Sequence, residues 1–159
     1  MRRLELNFCY EVENLQSDLS VTAEIKLYYD LYIPPQTKRR APLLIAVHGY
    51  GAHKRYTMRE ARTIAPADFI IVSLQAPHQH FRRADSGYKT GFGWLTDFKP
   101  DESVALRQKF VLDVIETLRR DDLSDEDKIF LYGLGLFKGK KSGSIVNSKL
   151  FIVNYPARK

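Results

Sequence analysis

Three apolar runs of strand length, separated by helical segments, predict an α/β fold in which a mostly parallel sheet carries helices on both faces. The runs Leu43–Val47, Phe69–Gln75 and Lys128–Tyr132 are short and nearly continuous, which is typical of strands buried on both faces of a parallel sheet. Alternation of such strands with helices implies right-handed crossovers. With 159 residues, 44% of them hydrophobic, the chain can build one globular core.

Two segments that precede the first apolar run have the pattern of half-buried strands. Leu4–Val12 and Ile25–Ile33 alternate apolar with polar residues, a period of two. Together they predict an antiparallel strand pair at the start of the fold. Pro34 and Pro35 end the second segment, and the polar residues 36–40 predict a loop.

Helices are predicted over Arg55–Ala65 and Asp101–Arg120. The second has acids in its first turn and arginines in its last, which complements the helix dipole, and its apolar residues recur at helical spacing. The 24 residues of Ala76–Lys99 show no strong periodicity and predict a long loop. Loops of that length within a compact domain tend to be functional.

The net charge of +6 comes from one end of the sequence. Residues 138–159 contain six lysines and arginines and no acid, so the preceding residues carry equal numbers of basic and acidic side chains. A nucleic-acid partner is therefore not predicted, because phosphate binding needs cations spread over a folded face. No apolar run approaches the ~18 residues of a membrane span, and the first residues do not resemble a signal peptide, so we expect a cytoplasmic protein.

The stretch His48-Gly49-Tyr50-Gly51 follows a predicted buried strand and precedes a predicted helix. Glycines at such a turn can leave main-chain N–H groups facing a cavity, as an oxyanion hole requires, but they also occur in plain strand-to-helix turns. A phosphate-binding loop is not indicated, since neither G-x-G-x-x-G nor G-x-x-x-x-G-K-[ST] is present.

The remaining candidate residues are histidines and the single tryptophan. The four histidines have no cysteine partner and no H-E-x-x-H spacing, so no metal site is predicted. Trp94 lies in the predicted long loop just before a helix. It could be an isolated surface ring, a core residue or the wall of a substrate pocket.

Four stretches taken in order resemble the phospholipase/carboxylesterase family of α/β-hydrolases, which includes the acyl-protein thioesterases. They are LLIAVHGYGA, FIIVSLQAPHQH, GFGWLTDF and DKIFLYG, and they fall between about Ala41 and Gly133. The resemblance implies a serine hydrolase without a cofactor that acts on a small acyl ester or thioester. It further implies an oxyanion hole at Gly49, Tyr50 and Gly51, and a substrate pocket that includes His48 and Trp94.

The family's nucleophile elbow, G-x-S-x-G, is not matched. Depending on register, Gly135 or Phe137 takes the position of the serine, and no acid or histidine follows Gly133 in the sequence. We therefore interpret residues 1–133 as the N-terminal part of a hydrolase domain, with the resemblance itself confined to about Ala41–Gly133. Residues 134–159 form a divergent basic tail with one strand-like segment at Leu150–Tyr155.

We expect no intact catalytic residue and an inactive chain, either truncated or frameshifted within the elbow. Translation of the DNA after the Gly133 codon in the other two frames tests the frameshift hypothesis, which fails if neither frame encodes an elbow. The alternative is a non-catalytic ligand-binding or interaction protein with an α/β-hydrolase-like fold.

Overall fold

A computed structural model describes residues 15–37 and 39–133 of the chain. Within them lie two helices and six strands. In chain order these are β1 (Tyr29–Tyr32), β2 (Ala41–Val47), α1 (Lys54–Ile64), β3 (Ile70–Leu74), β4 (His78–Ala84), β5 (Gly87–Gly93), α2 (Pro100–Arg120) and β6 (Ser124–Gly133).

The main sheet has the strand order β1-β3-β2-β6. Strand β2 pairs in parallel with both β3 and β6, so that Leu43 lies opposite Ile70 on one side and Ile129 on the other. Strand β1 pairs antiparallel with β3. The three predicted parallel strands are thus confirmed as neighbours, and the fold is a mixed α/β fold with a mostly parallel sheet.

One helix packs on each face of this sheet, as the sequence predicted. Leu43 and Ile45 of β2 belong to the larger core, which α2 completes with Phe110, Val114 and Leu118. The intervening Leu44 and Ala46 point to the other face and pack with Ala61 of α1. Alternation along β2 therefore divides the core in two, and each buried leucine or isoleucine contributes roughly 1.5–3 kcal/mol.

The bounds of α2 follow from its sequence. Pro100 occupies the first turn, where its missing N–H costs nothing, and Asp101 and Glu102 lie at the positive end of the helix dipole. Arg119 and Arg120 lie in the last turn, and Arg119 also pairs with Glu116 at 2.7 Å. The N-cap itself is Lys99, in a left-handed conformation without a side-chain cap.

The prediction of a long loop over Ala76–Lys99 was wrong, because most of this segment is a β-hairpin. Strands β4 and β5 pair antiparallel, with His78 opposite Gly93 and Ala84 opposite Gly87. Both faces of the outer half are exposed, Phe81 and Tyr88 included. Without one buried face there is no apolar–polar alternation for the sequence to display.

The predicted N-terminal strand pair is only partly tested. Of the segment Ile25–Ile33, Tyr29–Tyr32 forms the strand β1, and its described partner is β3. The proposed partner strand Leu4–Val12 lies outside the described residues, as do the positions Gly135 and Phe137 and the segment Leu150–Tyr155. Neither described helix is long and apolar enough to cross a membrane.

Candidate functional site

The turn His48–Gly51 lies at the carboxyl end of the central strand, beside the end of β6. Val47, the last residue of β2, is paired in register with Gly133, the last residue of β6. The chain leaves β2 into this turn and then enters α1. Ligands of open α/β sheets bind outside the carboxyl ends of the strands, so this edge is where a site is expected.

The His48 side chain is buried in this turn, with a relative exposure of 1%. Its Nδ1 lies 2.8 Å from the carbonyl oxygen of Gly49, which can only accept. The Nδ1–H tautomer is therefore required, and Nε2 is the acceptor. The backbone N–H of Ala76 donates to Nε2 at 3.1 Å, and the side-chain amide of Gln75 lies at the same distance from it.

Burial lowers the pKa of His48, outweighing the opposing effect of its hydrogen bond to the Gly49 carbonyl, and nearby His53 lowers it further. A neutral ring suits the hydrogen bonds, because protonation of Nε2 would deprive the Ala76 N–H of its acceptor. With both nitrogens engaged, His48 holds the end of β2 against the residues that follow β3.

Trp94 joins the base of the hairpin to the same turn. Its indole N–H donates to the carbonyl oxygen of His48 at 2.8 Å, and the two ring centroids lie 5.2 Å apart. Trp94 is only 9% exposed and belongs to the larger core. Of the three interpretations that the sequence left open, the isolated surface ring is excluded, whereas a pocket-lining role for its buried ring stays a prediction.

The backbone amides of the turn differ in whether they have a hydrogen-bond acceptor. The N–H of Gly51 donates to the carbonyl oxygen of Phe92 at 2.9 Å, and that of Ala52 donates to Gly49 at 3.1 Å. Gly51 adopts a φ of +75°, a conformation that favours glycine. Among the residues that the structure describes, no acceptor takes the N–H of Tyr50. No described acceptor takes the N–H of Gly49 either, so the amides of Gly49 and Tyr50, and not that of Gly51, lack a described partner in this turn.

The ring of Tyr50 lies on the hairpin. It stacks on His80, with centroids 4.5 Å apart and the planes inclined by 11°. Gly91 on the neighbouring strand allows this close approach, since a Cβ there would lie 2.8 Å from Nε2 of His80 and 3.0 Å from the Cα of Gly51. The hairpin base and the turn are therefore packed as one unit.

Gln75 is a residue that the sequence interpretation missed. Its side-chain oxygen accepts the N–H of Lys54 at 3.1 Å, at the start of α1, while its amide lies beside His48. Ser73, near the end of β3, donates to the Lys54 carbonyl at 2.7 Å. A polar residue that ends an otherwise apolar strand was the available signal.

The other histidines have separate local roles. His53 caps α1, accepting the N–H of Tyr56 at 3.3 Å. His78 contacts the hydroxyl of Ser103 at 3.3 Å, but this pair does not form an activated nucleophile. Thr96 donates its one proton to Phe98, so Ser103 donates to Thr96 and accepts from His78. The described residues contain no group of three or more side chains suited to holding a metal.

An open cavity lies at the hairpin tip, away from this turn. It has a volume of about 510 Å³ and is lined by Arg83, Ala84, Asp85 and Gly87. None of the residues of the turn lines it. The case for a site at the turn His48–Gly51 therefore depends on the hydrogen bonds described above and not on this cavity.

No protein-family model matches the chain, and no curated protein matches it.

Proposed function

We propose that this chain carries the oxyanion side of a serine carboxylesterase or thioesterase of the phospholipase/carboxylesterase type, and that it does not itself turn over esters. The substrate class is a carboxylic ester or thioester. In such a reaction a serine attacks the carbonyl carbon, and backbone N–H groups stabilise the charge that develops on the oxygen.

The observation that supports this proposal is the convergence of separate stretches on one histidine. Three of the four family-like stretches meet at His48, through Ala76 and Trp94. The fourth ends at Gly133, next to Val47 in the sheet. A plain strand-to-helix turn would need no such convergence, whereas an oxyanion hole must be held rigidly to be effective.

The proposed loss of activity rests on the positions that follow Gly133. Neither Gly135 nor Phe137 offers a nucleophile, and the later residues of this sequence supply no acid or histidine to activate one. An isolated oxyanion contact leaves only weak residual catalysis. Ser142 and Ser144 fit no G-x-S-x-G pattern, so they do not replace the missing serine.

A carboxylate probe tests the oxyanion role of Tyr50. We expect butyrate, a short acyl product, to shift the amide resonance of Tyr50 in a ¹H–¹⁵N correlation spectrum, because its carboxylate oxygen can accept that N–H. Tyr50→Pro, which removes the donor, should abolish saturable butyrate effects on neighbouring amides. Tyr50→Ala, which keeps it, should preserve them. An unshifted Tyr50 amide, or equal behaviour of the two variants, refutes the assignment.

A fluorophosphonate probe tests the absence of an activated serine in the same preparation. No labelling is expected, and hydrolysis of a p-nitrophenyl ester should equal that of the Ser142→Ala, Ser144→Ala double variant. Specific labelling of any serine would show that the chain is an active hydrolase.

A further inference from the structure

The outer half of the β-hairpin combines exposed aromatic rings with cations that have no acidic partner. Phe81 is 80% exposed and Tyr88 is 76% exposed. Residues 78–93 contain Arg82, Arg83 and Lys89 against the single acid Asp85. Among the described residues, none of these three cations forms an ion pair with a carboxylate.

The register of the hairpin sorts these side chains onto two faces. Phe81 lies opposite Thr90, and Arg83 lies opposite Tyr88, so Phe81, Arg83 and Tyr88 share one face. Phe81 and Tyr88 are diagonal neighbours on this face, roughly 7–8 Å apart between their Cα atoms. This face thus presents two aromatic rings and the guanidinium group of Arg83, which lies directly opposite Tyr88.

The other face holds two cations directly opposite each other. Arg82 is paired with Lys89 in the register, and like charges in this position destabilise a strand pair. Negative charges on a binding partner would offset the repulsion between Arg82 and Lys89. Such a pair therefore complements an extended anionic surface.

The base of the hairpin is held to the main fold while its tip projects. The N–H of Gly51 bonds to Phe92, and Tyr50 stacks on His80, whereas residues 85–90 are all exposed. An anchored hairpin with a free tip can enter an interface without disturbing the sheet.

We propose that this hairpin docks on a lipid bilayer that contains anionic lipids. Phe81 has no polar group for water to satisfy, and the acyl region of a bilayer accepts its ring. The hydroxyl of Tyr88 suits the headgroup level, as in interfacial aromatic belts. Arg83, on the same face as the rings, contacts the lipid phosphates, while Arg82 and Lys89 on the opposite face add to the electrostatic attraction. This inference is independent of the proposed esterase ancestry.

Cosedimentation of the full chain with vesicles tests the docking. We expect binding to vesicles of phosphatidylcholine mixed with phosphatidylglycerol, and much weaker binding to phosphatidylcholine alone. Arg82→Gln, Arg83→Gln, Lys89→Gln should weaken binding by roughly fivefold per cation. Phe81→Ser, Tyr88→Ser should weaken it as well without changing the charge, and neither variant should unfold at a lower temperature than the wild type.

A matched control is Lys138→Gln, Lys140→Gln, Lys141→Gln, which removes the same charge from the basic tail. If this control loses as much binding as the hairpin triple variant, the vesicles attract the net charge of the chain and not the hairpin, and the proposal is overturned. The proposal is also overturned if Phe81→Ser, Tyr88→Ser binds like the wild type. Absence of wild-type binding to the anionic vesicles overturns it too. Hairpin-dependent binding of a single-stranded oligonucleotide that vesicles fail to displace would assign the face to nucleic acid instead.

Discussion

Replacement of His48 measures how much the hydrogen bonds of its buried ring contribute to the free energy of unfolding. His48→Ala leaves the buried N–H of Ala76 without its acceptor, which costs about 1–3 kcal/mol. The deleted imidazole is 1% exposed, and large-to-small substitutions at such sites cost about 2–5 kcal/mol. Because the surroundings relax in part, we expect a total loss of about 3–5 kcal/mol in the free energy of unfolding. Domains of this kind have only about 5–15 kcal/mol in all.

A matched variant separates the hydrogen bond from the volume. In His48→Gln the side-chain oxygen can take the place of Nε2 and accept the Ala76 N–H, so we expect a loss of about 1–2 kcal/mol. The assay is urea unfolding followed by the fluorescence of Trp94, the only tryptophan, whose indole N–H bonds to the His48 carbonyl. A loss below about 1 kcal/mol for His48→Ala, or equal losses for both variants, would refute the network as a source of stability.

The pH dependence of stability and the packing of the hairpin base give two further predictions. Because burial lowers the pKa of His48 below its unfolded value near 6.5, the unfolded chain binds a proton that the folded chain excludes. Unfolding free energy should therefore fall as the pH drops below about 6.5, and less steeply in His48→Gln; parallel curves would contradict this. Gly91→Ala places a Cβ 2.8 Å from His80 Nε2 and 3.0 Å from Gly51 Cα, and should cost about 1–3 kcal/mol. Gly93→Ala, whose nearest contact is 3.7 Å, should cost less in the same urea-unfolding assay, and the reverse order would contradict the packing argument.

The order and type of the principal elements could be predicted because burial leaves a local signature. Residues Leu43–Val47 form part of β2 since a strand buried on both faces must be apolar throughout. The bounds of α2 agree with Asp101–Arg120 to within one residue, because its charges complement the helix dipole. The hairpin β4–β5 was missed, since its outer half has no buried face to impose alternation.

The candidate site was located from the sequence, but its construction was not. His48, Tyr50 and Trp94 were singled out because they flank a predicted strand or lie in an unusual segment. Nothing local showed that the Gly51 N–H is taken by Phe92, which removes Gly51 from the predicted oxyanion donors and leaves Gly49 and Tyr50. Gln75 was missed altogether, because its two partners become neighbours only after the sheet forms.

The amino-acid pattern was enough to specify a sheet covered by two helices, since each apolar run or stripe needs only its own residues to be recognised. The partners of His48 depended on the folded chain. Ala76 lies 28 positions away in sequence and Trp94 lies 46 positions away, and their bonds form only when β3 and the hairpin are placed beside the end of β2. The opposed cations of the hairpin also depended on the folded chain, because only the pairing register of β4 and β5 places Arg82 opposite Lys89. Local patterns encode which surfaces are buried, whereas the geometry of the packed chain selects the polar groups that meet there.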